Sequence, residues 1–553
     1  MSDITTYLKK QILDAIAPIA EVKPEEINLS VPRDSSHGDY SVNIAMRLGK
    51  KLRRNPRQIA DLIIKGLHDS NKFIEKALVA GPGFINFTLS PDYIIDALRK
   101  ILQQGDDFGK TVSQNPEKIL VEFVSANPTG PMNVVSARTG AVGDTLVKLL
   151  NWSGMQAKSE YYVNDTGNQV NNLALSVDLR YRELLGESVE IPPEAYHGDY
   201  IIDLAEKILK EHGPDYFLKE DESRLEFFKK DAIKRIVASQ QADLKEFQVT
   251  FDRWFFESEA IKAGKVRSVI DRLLGLGLIY DYDGCLWFKS TEYGDDEDRV
   301  FIKSDGNPTY FLPDCGYHQT KYDRGFTRLI DIWGPDHHGY IPRMTAALEA
   351  LGYPRESFET LIVQQVNFLK DGVKMKMSKR AGMIVTMREL IDEVGVDVAR
   401  YFFLKRRANS HLDFDLDLAK KESDENPVYY VQYAHARICS VLGYAKNQGA
   451  SLESDAETIV NLSELKKPEE LDLIKILNRF PDIISDAART REVHRLPMYL
   501  ESVAAHFHQF YHNHRVVTDD ASLTQARLAL CKVARTVLRN GLTLLGVSAP
   551  EKM

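Results

Sequence analysis

The chain has 553 residues, a formal net charge of −9, and 43% hydrophobic and 27% charged residues. That length is more than one core supports and implies about three or four domains of ordinary globular composition. The acidic balance disfavours a non-specific nucleic-acid coat, although local basic patches can still bind RNA because screening confines each charge to about 8–10 Å.

The N-terminal segment carries no apolar signal core. Its spacing of Tyr7, Leu8, Ile12 and Ile16 predicts an amphipathic helix. Between Arg47 and Arg57 lie Arg47, Lys50, Lys51, Arg53, Arg54 and Arg57 with no acid, which reads equally as a solvated helix face or an RNA phosphate contact. After Gly81-Pro82-Gly83, the alternation from Phe84 to Phe87 predicts a strand that ends a first unit of residues 1–110.

A second unit, residues 111–412, opens with an apolar β-branched run, Ile119 to Val124, which predicts a buried strand. A loop, Ala126 to Pro131, leads into a helical pattern from Asn133 to Trp152 that Gly154 stops. Strand, tight loop and helix begin a βαβ unit. Charged helical segments at about 155–300 read as an insertion. The α/β pattern then resumes with a strand at Leu329 to Trp333, ending in Gly334-Pro335-Asp336-His337-His338-Gly339. A strand at Leu361 to Phe368 leads to a lysine-rich loop. From residue 413 to 553 strand signals vanish and helical spacing predicts a bundle.

The four cysteines, Cys285, Cys315, Cys439 and Cys531, form no C-x-x-C pair, so no thiolate zinc site is expected and a reducing compartment fits. No run is long and apolar enough for a bilayer, and a cytoplasmic location without membrane partners is the expectation.

Two segments carry chemistry. Glu122 to Arg138 spans the carboxyl end of a predicted strand and the start of a helix, where open α/β sheets bind ligands and backbone N–H groups favour phosphate. Read alone, it is also a plain βα turn. Lys374 to Gly382 packs Lys374, Lys376, Lys379 and Arg380 among small residues, as a phosphate-handling loop needs and as many solvated loops also do.

Lys376-Met377-Ser378-Lys379 resembles the KMSK signature of class I aminoacyl-tRNA synthetases, and Ala126 to Ser136 resembles their HIGH region in the form of arginyl-tRNA synthetases. Glu160 to Gln169, Asp336 to Gly339 and Gln432 to Arg437 are similar to the same family, so the resemblance spans nearly the whole chain. One departure stands out: Asn133, Val134, Val135 and Ser136 occupy the family's His-x-Gly-His core. Asn133 and Ser136 can still donate to phosphate oxygens.

The resemblance implies a Rossmann-like parallel-sheet catalytic domain, an α+β N-terminal domain that reads the corner of tRNA, and an all-α anticodon-binding bundle. It implies ATP-dependent attachment of L-arginine to tRNA(Arg) through an adenylate, with Mg2+, by a monomer. Ala126, Pro128, Gly130, Pro131, Asn133, Ser136, Asp336 and His337 then fall at ATP, and Lys376, Met377, Ser378 and Lys379 at its phosphates. Glu122, Asn127, Tyr310, Asp314 and Asp336 fall at arginine. A guanidinium asks for such a carboxylate in bidentate geometry; Asp314 alone also reads as an ordinary strand-end aspartate. Phe84, Asn86, Tyr433, Arg437 and Met553 fall at tRNA, while Phe84 and Tyr433 also fit core positions. Other readings are a related synthetase for a neutral amino acid, which gives no reason for Asp314; a tRNA-binding paralogue without catalysis; and an unrelated nucleotidyltransferase, which needs no helix bundle.

Overall fold

The computed structural model describes residues 4–32, 34–215, 220–375, 386–450 and 460–553. The chain divides into two compact units: Met1–Phe108 with Arg437–Arg479 and Ala505–Val537, and Gly109–Ala436 with Phe480–Ala504 and Leu538–Met553.

The first unit holds a four-stranded antiparallel sheet in the order Leu29–Ser30, Tyr40–Val42, Phe84–Leu89, Ile74–Ala80. In Phe84–Leu89, Ile85, Phe87 and Leu89 are buried, and Phe84, Asn86 and Thr88 share the opposite, half-exposed face. That is the period of two expected from the sequence. The opening helix, Ile4–Ile16, buries Tyr7, Leu8, Ile12 and Ile16 as their spacing predicts. Side chains close two further helices: Asn55 accepts from the Arg57 N–H ahead of Pro56–Lys65, and Ser90 from the Tyr93 N–H ahead of Pro91–Gln104.

The second unit is built on a five-stranded parallel sheet ordered Phe358–Ile362, Arg328–Trp333, Lys118–Glu122, Gln156–Val163, Arg253–Phe256. Its first strand in sequence lies in the middle. The chain winds one way from it and later returns on its other side, so a topological switch point falls between Lys118–Glu122 and Arg328–Trp333. Ligands bind there in open parallel sheets.

Two sequence expectations need correction. Gln156–Val163 and Arg253–Phe256 belong to this sheet, so the stretch at 155–300 is not wholly an insertion. The long charged helices between and after them hid two strands, one of eight residues and one of four. The run from Leu361 to Phe368 is also not one strand. Phe358–Ile362 stays in the parallel sheet, whereas Val366–Lys370 pairs with Leu412–Asp415 and with Val373–Lys374. The switch occurs where the Gln364 N–H donates to the Ala408 carbonyl (2.9 Å) instead of to a sheet neighbour. After Leu416–Ala419 the described elements are helical, including Pro427–Asn447, Arg495–Asn513 and Ala521–Leu545.

The helix Val134–Trp152 packs on the central strand through Gly143. A Cβ at that position would come within 2.2 Å of the Phe123 ring, itself buried. Gly143→Ala should therefore lower stability by about 1–3 kcal/mol through overpacking. The check is the denaturant midpoint of the full chain; an unchanged midpoint removes the close approach.

Candidate active site

The carboxyl end of Lys118–Glu122 turns sharply. Val124 and Ser125 both have left-handed backbones, with φ of 69° and 41°. A β-branched residue pays a steric cost in that region, and such outliers cluster at functional sites. The turn is over-determined by its bonds. The Ser125 hydroxyl donates to Glu122 (2.9 Å) and accepts from the Tyr162 N–H (3.1 Å). The loop beyond it is pinned through its carbonyls: Tyr161 donates to Ala126, Gln240 to Asn127 and Gly130, and Tyr200 to Thr129. The Asn127 amide donates to Gln169 (2.7 Å).

Asn133 is the N-cap of Val134–Trp152. Its oxygen accepts from both the N–H (2.9 Å) and the hydroxyl (3.2 Å) of Ser136. The two residues in the histidine positions thus cap the start of the helix, whose dipole favours an anion there. Two residues further on, Arg138 is fully buried. It donates to the carbonyls of Gln364 (2.7 Å) and Arg407 (3.0 Å) and meets no carboxylate among the described residues. Burial alone pushes its pKa down to about 10.

Lys376, Met377, Ser378 and Lys379 lie outside the described residues. The exit of their loop does not: Thr386 forms an antiparallel bridge with Asn133, and the Met387 N–H donates to the Met132 carbonyl (2.9 Å). Asn133 and Thr386, more than 200 residues apart in sequence, are joined by backbone at this point. Asp336 and His337 stand exposed on the turn Pro335–Tyr340, at the end of Arg328–Trp333 beside the switch point.

Beneath the turn lies a charge network. The buried Lys321 ammonium donates to Glu122 (2.6 Å) and Asp331 (3.0 Å), and Asp331 also faces His318 Nε2 at 2.7 Å. Burial opposes the ammonium, but the carboxylates of Asp331 and Glu122 outweigh it and raise its pKa. Glu122, His318 and Asp331 are close enough to share a cation, and the lysine already lies among them. An ammonium therefore occupies the place a metal would take.

Asp314 lies not at a strand end but in the first turn of Phe311–Asp323. It accepts from the Tyr340 hydroxyl (2.6 Å), and burial pushes its carboxyl up to about 6 against the help of Tyr340 and His318, with Glu122 and Glu257 adding repulsion. Glu257, buried, is likewise raised by burial and accepts from Thr166 (2.7 Å). Tyr162 lies under the electrostatic influence of both acids. Neither acid has an ion-pair partner among the described residues. Tyr310, just ahead of the same helix, is 62% exposed. The sequence assigned no role to Glu257, Tyr162 or Tyr340, although Tyr162 lies within Glu160 to Gln169, which resembles the family.

The remaining sites lie elsewhere. Phe84 and Asn86 share one half-exposed strand face in the first unit, where Asn86 accepts from Ser41 (2.7 Å). Arg437 lies over the Tyr511 ring at 5.6 Å in that unit. In the second, Tyr433 stacks on Tyr429 (6.3 Å between centroids) and Met553 is exposed. No described helix is long and apolar enough to cross a membrane.

A parallel sheet with its switch point, a helix that starts beyond the end of its central strand and a backbone bridge from that start to Thr386 fit a class I tRNA synthetase catalytic domain. Residues 97–415 match the family model for the class I (R) tRNA synthetase catalytic domain, 6–89 that for the arginyl tRNA synthetase N terminal domain, and 431–553 that for the DALR anticodon binding domain. The arginine--tRNA ligase of Listeria monocytogenes serotype 4a (strain HCC23) is 47% identical over 551 residues, covering 100% of this chain and 98% of the relative. That of Symbiobacterium thermophilum is 47% identical over 553 residues, with 100% and 99% covered. The solved structure of Thermus thermophilus arginyl-tRNA synthetase shares the fold, with a TM-score of 0.75 at 22% identity and full coverage of both chains. The chain belongs to the arginyl-tRNA synthetases.

Lys321→Met should cost about 3–5 kcal/mol, because it strands two buried carboxylates. Asp314→Asn should act oppositely and stabilise the ligand-free protein at pH 7 by about 1–3 kcal/mol. A carboxyl raised in the folded state destabilises as pH rises through the window from its ordinary value to about 6. The stability gap between the two proteins should therefore close on acidification below that window. Denaturation curves at pH 7 and at low pH decide both points.

Proposed function

We propose that the carboxylates of Asp314 and Glu257 receive the guanidinium of arginine, beside a helix terminus that receives the triphosphate of ATP. The enzyme attaches L-arginine to tRNA for protein synthesis, with ATP as substrate. The observation that carries the assignment of the pocket is a buried acid, Glu257, and a half-buried one, Asp314, without cation partners among the described residues, next to a third acid, Glu122, already neutralised by Lys321. A permanently charged planar fork is the ligand such acids suit, and a neutral amino acid would leave them unpaired.

In the first step the arginine carboxylate attacks the α-phosphorus of ATP, forming arginyl-adenylate and releasing pyrophosphate. In the second, a terminal ribose hydroxyl of the tRNA takes the arginyl group and AMP leaves. The substrates supply both nucleophiles, so the protein positions them and stabilises phosphoryl charge. Tyr310 and Tyr340 flank Asp314, with Tyr340 orienting its carboxylate. Asn127 and Glu122 serve the arginine backbone end, together with Asp336. Ala126, Pro128, Gly130 and Pro131 shape the nucleotide loop, and Asp336 and His337 reach the ribose side. Asn133 and Ser136 present the helix terminus, and buried Arg138 adds uncompensated positive charge one turn inside it. Lys376 and Lys379 neutralise the triphosphate from the second loop, with Met377 and Ser378 supporting it. Mg2+ comes with ATP as the counter-ion of the triphosphate.

The tRNA is held by Phe84 and Asn86, whose shared face suits a stacked and edge-read base, and by Tyr433, Arg437 and Met553. Functional domains of 1–110, 111–412 and 413–553 divide these tasks, in a cytoplasmic monomer.

Two experiments test the reading. The kcat/KM for arginine should fall as pH drops through about 6, because protonation of Asp314 in the free enzyme removes the charge that attracts the guanidinium; Asp314→Asn should abolish arginine use and with it this acid limb. A normal arginine KM in that variant would remove Asp314 from the pocket. Lys379→Ala should slow adenylate formation by roughly 100-fold or more while arginine affinity stays unchanged. Equal losses in rate and affinity would contradict its charge-stabilising role.

A further inference from the structure

Arg400 is fully buried on the helix Val396–Lys405, yet it acts on three separate segments. Its Nε donates to the Leu545 carbonyl (2.8 Å), at the end of the last helix, Ala521–Leu545. Nη1 donates to the carbonyls of Phe247 (2.9 Å) and Gln248 (3.2 Å), where the long helix Asp221–Glu246 ends. Nη2 donates to Asp144, about three turns along the helix that Asn133 caps. One guanidinium thus sits at the negative ends of two helices and on a carboxylate of a third. Only a planar fork with five donors serves so many acceptors from one point.

These bonds close a ring. From Asn133 the backbone bridge leads to Thr386, which caps Met387–Val394, and Gly395 joins that helix to the one bearing Arg400. Arg400 then returns through Asp144 to the helix that starts at Asn133. The exit of the lysine-rich loop and the phosphate-binding helix are therefore fixed to each other at two points, one beside the site and one remote from it. The remote point is also where the last helix of the chain is tied in.

Gly546 makes the approach of that helix possible. Its φ is +65°, and a Cβ there would lie 2.4 Å from Arg400 Nη2, with the rest of the guanidinium nearly as close. A methyl group at 546 would displace the fork.

We propose that Arg400 is a positioning residue: it holds the phosphate-binding helix and the exit of the lysine-rich loop in register against the end of the C-terminal helix. The proposal rests on the reaction set out above and touches no residue assigned to substrate.

The test compares the full-length enzyme with Arg400→Lys, Gly546→Ala and the double variant, each scored per folded molecule by circular dichroism. Arg400→Lys keeps the charge and loses the fork; Gly546→Ala keeps Arg400 and displaces it. Each should lower the kcat of arginylation roughly 10–100-fold, as a misplacement of about 1 Å does, with the KM for arginine within about twofold of the parent. The double variant should be no worse than the poorer single one, since both break the same device. Unchanged kcat per folded molecule, a KM for arginine that rises in step with the loss of kcat, or multiplicative losses in the double variant would each overturn the proposal. Absence of arginylation by the unaltered enzyme would overturn the functional reading itself.

Discussion

The catalytic unit depends on a shortage of cations around its buried acids. Glu122 and Asp331 share one buried ammonium, Lys321, whose charge they favour against the cost of burial. Asp314 and Glu257, close by, have hydroxyl donors but no cation. The local electrostatic free energy is lowest when a cation of the right shape enters. A hydrophobic replacement of these acids would make a more stable protein without affinity for a charged amino acid.

The same economy appears on the phosphate side with the sign reversed. Arg138 is buried without a carboxylate partner among the described residues, near the start of the helix that Asn133 caps. In sequence, the strained turn at Val124 and Ser125 lies between Glu122, which belongs to the charge network, and the helix that Asn133 caps. The strain is held by bonds from Glu122 and Tyr162, residues of two adjacent parallel strands, so the sheet itself supplies the rigidity. Asn133 and Ser136 spend their side-chain bonds on each other, which preserves the helix terminus where histidines would have reached out directly.

Much of this was legible in the chain. The run of β-branched residues before Glu122, the loop from Ala126 to Pro131 and the helical spacing after Asn133 each obey a local rule, and local rules survive folding. The surface strand at Phe84 was legible for the same reason, since alternation alone separates Ile85 and Phe87 from Phe84 and Asn86. The failures were non-local. Two strands of the central sheet were concealed among charged helices, because a strand buried on both faces, as most of Gln156–Val163 is, shows little alternation. The apparent strand from Leu361 to Phe368 broke because Gln364 found its backbone partner at Ala408, more than 40 residues away.

Residue types and spacing determined by themselves the α/β plan, the opening helix and the alternating strand at Phe84, while resemblance to a family marked the two signature segments and Asp314. Only the tertiary structure decided that Lys321 neutralises Glu122 and leaves Asp314 and Glu257 exposed to each other's charge, and that Thr386 returns to Asn133. It alone revealed Arg400, whose partners lie at positions 144, 247, 248 and 545. The reason is physical: hydrogen bonding and desolvation act through space, and a sequence records neither which acid lacks a counter-ion nor which carbonyls a buried fork can reach.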